Sequence, residues 1–512
     1  MHVALQNGDI LDEILEHLIP SSGYSAGHYC DCKSNEEAQK TLHSAALTCK
    51  AFSEPALQRM WTHISTLDCL LALLPSSAKL VKCDPPPEAP QNEDTIWKMD
   101  GPITDAERAC FVRYARHIRT IHLRATPRID PTVFRRLAHA HLGSPLTPQL
   151  RALYAEYGCP LYQGMAAALL SGPRLRMLSC AEVIDTDDRP PPHRHPRAPR
   201  TLIAAFAASA PHIESLQVYQ CPHPSLLEPI GAMRGLRRLD VGMTGFSFGV
   251  DFLKSLTRLD RLEELVLPNK FIAQGALRCS GLKSVKKLTI LGGALTIPAL
   301  LAALPDVRLT ELQSSMFFED VPQLAAALSA CPERCLETIS LDCPLRRQVV
   351  VRKPVSALLA PFFALQGIRR FRLGSWQPLV IGNEDLQMIG DAWPKLEELR
   401  LWCYTNERHE IVAPTIEGIV ELARACPGLD DVYFSTVIPD MDPGNLVPPL
   451  PTEEIQKHTL RVRIPDQLIR DVGQVTRLLH SVFGKLHIPE LDRERFGKWG
   501  AVLDGMVRMQ GS

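Results

Sequence analysis

The sequence predicts an α/β repeat array, a solenoid with a parallel sheet inside and helices outside, preceded by a small helical module. Three observations predict it: a short apolar template that recurs along most of the chain, near-regular spacing between its copies, and helix-like segments between them.

The template reads apolar, two variable, apolar, one variable, apolar. It fits Ile118-Ile121-Leu123, Ile213-Leu216-Val218, Leu236-Leu239-Val241, Leu262-Leu265-Leu267 and Val285-Leu288-Ile290. It fits again at Leu336-Ile339-Leu341, Ile368-Phe371-Leu373, Leu396-Leu399-Leu401 and Leu429-Val432-Phe434. Weaker copies start at Leu175 and Leu309 and end in Cys180 and Ser314, and a last alternation is Leu460-Val462-Ile464. From Ile213 to Leu429 successive starts lie 23, 26, 23, 24, 27, 32, 28 and 33 residues apart. Leucine-rich repeats run about 20–29 residues. The last two apolar positions alternate, as one face of a strand must. Each repeat thus supplies a strand, and about eleven strands are expected.

Between the strands lie helix-like stretches: 202–209, 321–328, 355–365, 384–392 and 415–425. Cys426-Pro427 and Cys331-Pro332 follow two of them, and proline there stops a helix. Strand–helix alternation at this pitch builds a parallel sheet covered by helices. The array is expected over 106–465, with a helical cap over 466–512 in which Trp499 packs. Terminal repeats need such caps.

Composition narrows the function. A single compact core stops growing near roughly 250–300 residues, so 512 residues imply several domains or an elongated core. Hydrophobic content of 45% and charged content of 22% suit a folded chain. The net charge of -1 gives no global field to attract nucleic acid or an anionic membrane. The 15 cysteines form no disulfide framework, and the chain has no Asn-x-Ser/Thr sequon. Asp9, Asp12, Glu13 and Glu16 are foreign to a signal peptide, and no apolar run approaches the roughly 20 residues that cross a bilayer. The expectation is a cytoplasmic or nuclear protein.

Residues 1–80 lie outside the repeat. After Asp9 as N-cap, Ile10, Leu11, Ile14, Leu15 and Leu18 make a wide apolar stripe on one helix. Thr41–Phe52 forms a second short helix, Pro55–Trp61 a third, and Leu70–Pro75 closes the block. So small a module must dock on the repeats or on another protein. Residues 81–105, with proline-rich Asp84–Asp94, read as a linker.

Asp9-Ile10-Leu11-Asp12-Glu13-Ile14-Leu15 resembles the opening of the F-box. Leu47-Thr48-Cys49-Lys50-Ala51-Phe52-Ser53-Glu54-Pro55-Ala56-Leu57, followed by Trp61, resembles its close. The closing string is similar to the F-box-like leucine-rich-repeat proteins abundant in mushroom-forming fungi. Phe111–Arg119 and Val475–Phe483 resemble the same group. The resemblance implies a substrate receptor of a cullin-based ubiquitin ligase, with a Skp-type adaptor bound by the N-terminal helices and a target protein by the repeats. Carried over, the adaptor contacts fall on Ile10, Leu11, Ile14, Leu15, Leu42, Leu47 and Phe52. Two departures are plain: Leu11 stands where the family has proline, and 20–40 is longer than usual. The other reading is a stand-alone repeat scaffold or inhibitor in which a vestigial module caps the first repeat.

In either case the chain is expected to be no enzyme, to need no cofactor or metal, and to bind protein. The positions two past each template start form one ladder: Arg238, Glu264, Lys287, Glu311, Thr338, Arg370, Glu398 and Asp431. The first four alternate in sign, and cross-strand ion pairs of this kind contribute roughly 0.2–1 kcal/mol each. Further along, Arg370, Arg372, Trp376, Arg400, Trp402, Tyr404 and Tyr433 gather near neighbouring strand ends. Trp, Tyr and Arg are enriched in binding hot spots, so a target-binding patch and ordinary packing at loop bases are both open.

Other motifs are weaker. Gly245-Phe246-Ser247-Phe248-Gly249 matches the Gly-x-Ser-x-Gly elbow, but a repeat's strand-to-helix loop also asks for glycines. Nothing in the repeat brings His409, His458 or His480 to Ser247. His28, Cys30 and Cys32 match no familiar zinc spacing, nor do Cys331, Cys335 and Cys343. Arg189–Arg200 is a basic, proline-rich loop, solvated and extended or tethering an acidic partner or nucleic acid.

Overall fold

A computed structural model describes residues 8–17, 32–82, 95–123, 128–140, 145–155, 169–180, 198–219, 221, 224–244, 246–268, 270–272, 279–291, 297–329, 335–344, 354–376, 379–403, 413–434, 459–462, 469, 471–482 and 497–510. The chain divides into two compact units, Met1–Phe246 and Ser247–Ser512.

The first unit opens with three helices, Gly8–His17, Cys32–Thr48 and Lys50–Thr62. The expected boundaries move. Asp9 lies inside the first turn rather than capping it, and the break between the second and third helices falls at the extended Cys49. Leu15, Leu42 and Ala56 make a buried cluster, with Ala45, Ala46 and Met60 packed against it. The third helix runs directly into strand β1, His63–Ile64.

Strands β2 (Ala78–Lys82) and β3 (Thr95–Met99) pair antiparallel, and β3 pairs in parallel with β5 (Arg128–Ile129). The stretch 81–105, expected as a linker, therefore carries a sheet strand. The reason is local: Trp97 and Met99 are alternate positions that bury, and Trp97 Nε1 donates to Asp68 Oδ1 at 2.9 Å.

The repeat sheet of this unit comprises β1, β4 (Thr120–Leu123), β6 (Ala152–Ala155), β7 (Met177–Cys180), β8 (Ser215–Val218) and β9 (Arg238–Asp240). Each is parallel to the next. The template residues are its core: Ile118, Ile121, Leu175, Leu178, Ile213, Leu216, Leu236 and Leu239 are fully buried.

The second unit repeats the plan with β10 (Glu264–Pro268), β11 (Lys287–Leu291), β12 (Glu311–Ser315), β13 (Thr338–Cys343), β14 (Arg370–Ser375), β15 (Glu398–Cys403), β16 (Asp431–Phe434) and β17 (Thr459–Val462). All are parallel neighbours in chain order. The intervening helices include Val321–Ser329, Asn383–Ala392 and Ile416–Ala425. The last begins after Thr415, whose hydroxyl accepts from Gly418 N, and stops before Cys426-Pro427 as expected. Val355–Leu359 is shorter than the 355–365 expected, because Pro361 cannot donate and the chain tightens to a 3-10 turn over Ala360–Phe362.

Trp393 is fully buried, stacked on Phe371 with centroids 4.9 Å apart and edge-on to Phe363. At the C-terminal end, helices Val472–Val482 and Gly497–Gln510 approach so closely that a Cβ at Gly505 would sit 2.9 Å from Thr476. Trp499 is buried, as expected of the cap.

Ser314 holds the apolar end of its template. Its hydroxyl is buried with no protein hydrogen-bond partner among the described residues. An unsatisfied buried polar group costs about 1–3 kcal/mol. Ser314→Ala is therefore expected to raise stability by about 1 kcal/mol in urea unfolding, where most core changes lower it.

Candidate protein-binding surfaces

The seven residues carried over from the F-box resemblance fall into two sets. Leu11, Leu15 and Leu42 are each only 1% exposed. They build the helical module, so a partner cannot touch them without opening it, and they leave the contact set. Ile10 and Ile14 lie one turn apart on the first helix and are 41% and 42% exposed, while Leu47 is 74% exposed. Phe52 is half-buried. The first helix thus presents apolar side chains on two faces, one closing its own core and one turned to solvent.

The second surface lies on β14–β16. Parallel register puts Arg372, Arg400 and Tyr433 in one row, continued by Arg461. Arg370, Glu398 and Asp431 form the neighbouring row, and Gly374 lies opposite Trp402. Gly374 is required there, since a Cβ would sit 2.7 Å from the Trp402 ring. The expected cluster is thereby brought together, with Trp376 exposed beyond it. Tyr404 lies outside the described residues.

Carboxylates organise the arginines. Glu398 accepts two hydrogen bonds from Arg372, at 2.8 Å from Nε and 2.7 Å from Nη2, a fork-to-fork pair. Arg400 Nε lies 2.6 Å from Glu398 Oε1 as a close ion contact rather than an aligned hydrogen bond, and Arg400 Nη2 pairs with Asp431. Burial pushes the Glu398 carboxyl upward, but the Arg372 hydrogen bond and the charges of Arg372, Arg400 and Arg370 outweigh it and hold the carboxyl below its usual range. The matching hydrogen bond from Arg372 to Glu398 raises the guanidinium. The ladder of alternating charge is present in register from Glu264 to Asp431, and Lys287 pairs with Glu311 at 2.8 Å.

The first unit holds a row that the sequence reading missed. His122, Tyr154, Ser179, Gln217 and Asp240 stand in register across β4 and β6–β9. His122 stacks on Tyr154 at 4.4 Å, and Gln217 Nε2 donates to Asp240 Oδ2 at 2.9 Å. Burial and then the Asp240 charge push the nearby Tyr219 hydroxyl up to about 12. The signal was present as Leu150-Leu153-Ala155, a template copy whose last position is too small to stand out.

The remaining motifs assemble no chemistry among the described residues. Ser247 is exposed, and neither an imidazole nor a carboxylate is hydrogen-bonded to it there. His409 and His458 lie outside the described residues, as do His28, Cys30, Cys331 and Arg189–Pro196. Cys343 is a core thiol pushed up to about 12, chiefly by burial, and Cys335 is exposed. No group of metal-ligating side chains forms among the described residues, and none of their helices is long and apolar enough to cross a membrane.

One strand per repeat, a buried leucine template and helices between the strands define the class: this is a leucine-rich-repeat fold. No family model and no curated protein matches the chain. Among solved structures it is similar at 14% identity to the protein in "Crystal structure of TLR13-ssRNA13 complex", with a TM-score of 0.37, covering 69% of this chain and 44% of that one. It is similar, again at 14% identity, to the leucine-rich repeat-containing protein LegL7 from Legionella pneumophila, with a TM-score of 0.34, covering 54% of this chain and 90% of that one.

Proposed function

We propose that the chain is a non-catalytic adaptor. The N-terminal helices engage a Skp-type adaptor protein of a cullin-based ubiquitin ligase, and the repeats engage a target protein. The observation that carries the reading is the pair of faces on the first helix. Leu11 and Leu15 close the module, while Ile10 and Ile14, with Leu47 of the second helix, remain outside it. Binding of a purified Skp-type adaptor to the full chain, against the Ile14→Asp, Leu47→Asp double variant, tests it. Both sites are exposed, so the variant keeps its fold and is expected to lose binding by about 100-fold or more, as for hot-spot residues costing about 2 kcal/mol or more each.

For the target, β14–β16 offer an arginine row beside Trp402 and Tyr433. Trp402→Ala with Tyr433→Ala is expected to weaken capture of a target recovered by crosslinking by about tenfold or more. Unchanged capture by the folded variant removes the patch from the account.

A second reading has its own observation. The third helix leads straight into β1, which pairs with β4 at the start of the repeat sheet. A module so placed also caps the sheet edge, and a scaffold without ligase partners needs no more of it.

A further inference from the structure

A cavity of about 290 Å³ lies between the third helix and the first repeats, lined by Gln58, Arg59, Thr62, Arg116, His117, Arg119 and Gln149. Its lining holds three guanidinium groups, an imidazole, two amides and a hydroxyl, and no carboxylate. Apolar side chains dominate most small-molecule pockets; here every lining residue is polar.

The charge is not an accident of a basic chain, because the net charge is -1. In the row just before the strands, two neighbouring pairs are of opposite charge: Arg176 pairs with Glu214 at 3.1 Å, and Arg369 with Glu397 at 2.6 Å. At the same position Arg119, Arg151 and Arg176 follow one another, joined by backbone hydrogen bonds of 2.7 and 2.8 Å, so the row opens on three arginines in succession. Like charges opposite one another destabilise a sheet. Glu54 is engaged by Arg113 at 2.6 Å and reaches Arg116 at 3.9 Å. His63, next to the cavity, is held below its ordinary value by burial and then by the charges of Arg119 and Arg59.

The walls are set without a ligand. Trp61 stacks on Tyr114 at 4.7 Å, which fixes the third helix against helix Asp105–Ala115. Arg119 N donates to Thr62 O at 2.9 Å, and Arg116 Nε donates to His117 Nε2 at 3.2 Å.

We propose that this cavity binds the phosphate or diphosphate group of a small molecule. Planar guanidinium forks match phosphate oxygens two at a time, and Gln58, Thr62 and Gln149 add neutral donors. The volume is at the small end of the roughly 300–1,000 Å³ typical of ligand sites, which suits a compact anion rather than an extended chain. The proposal stands apart from adaptor binding, since Ile14→Asp and Leu47→Asp leave every lining residue in place.

The test is calorimetric titration of the full chain with inorganic pyrophosphate and with inorganic phosphate, ionic strength held constant with potassium chloride. Saturable binding is expected, weakened about tenfold or more by Arg119→Gln and by Arg59→Gln, with circular dichroism confirming the fold. Arg258→Gln, in the second unit, is expected to leave it unchanged. Absence of saturable heat with both anions, or equal affinity in the folded Arg119→Gln variant, overturns the proposal. A phosphoserine peptide binding about tenfold tighter than pyrophosphate overturns the small-molecule assignment and moves the site to a modified protein.

Discussion

Trp393→Ala is expected to destabilise the second unit by about 3–5 kcal/mol, the range for truncating a fully buried large aromatic. Trp393 has no exposed surface and fills the space between a strand residue, Phe371, and a helix-end residue, Phe363. Truncation leaves a cavity bounded by both, and the neighbouring Leu396 and Leu399, also fully buried, belong to the next template copy. In repeat arrays each unit leans on its neighbours, so the loss spreads through the adjoining interfaces. Urea unfolding followed by tryptophan-independent far-ultraviolet dichroism checks it. A loss below about 1 kcal/mol, within the reach of a surface change, would show that this aromatic cluster is not the packing centre described.

Glu398→Ala is expected to cost about 1–3 kcal/mol at pH 7, less than the 3–5 of a fully buried broken pair, because the Arg372 side chain is partly solvated. The loss should be pH-dependent. The folded carboxyl is held below its ordinary value, so its contribution is complete above the unfolded value of about 4.3 and disappears as pH falls through the folded one. The gap between parent and variant should therefore be widest near neutrality and close in strong acid. A gap that is constant from pH 7 to pH 2 would mean that the ion cluster contributes nothing through its charge.

The strands from Ile213 onward were legible because one core position recurs at a fixed offset and leucine, isoleucine or valine nearly always fills it. Two strands of the repeat sheet were not. β6 carries Ala155 where the template wants a large residue, and β1 is only two residues long. β3 was hidden inside a proline-rich stretch, since five residues of alternation are a faint signal beside Asp84–Asp94.

The candidate surfaces were readable to the row but not to the partner. Register follows from the template, so Arg370, Glu398 and Asp431 fell in line from sequence. The pairing that forms is between rows, because Arg372 and Arg400 are long enough to reach Glu398 and Asp431 from the adjacent one. In the module, Ile10, Leu11, Ile14 and Leu15 share one wide stripe, and helical periodicity gives its direction without saying which half another helix of the chain will cover. The basic cavity had no sequence signature at all. Its residues come from three segments, 58–62, 116–119 and 149, brought together only by β1, β4 and β6 lying side by side.

The measurement that bears most directly on the account is a titration of the purified full chain with a Skp-type adaptor, alongside the Ile14→Asp, Leu47→Asp double variant, with matching dichroism spectra for both. Saturable one-to-one binding is expected of the parent, and none measurable of the folded variant. No binding by either, or equal binding by both, would contradict it and leave the N-terminal helices as the cap of the repeat sheet.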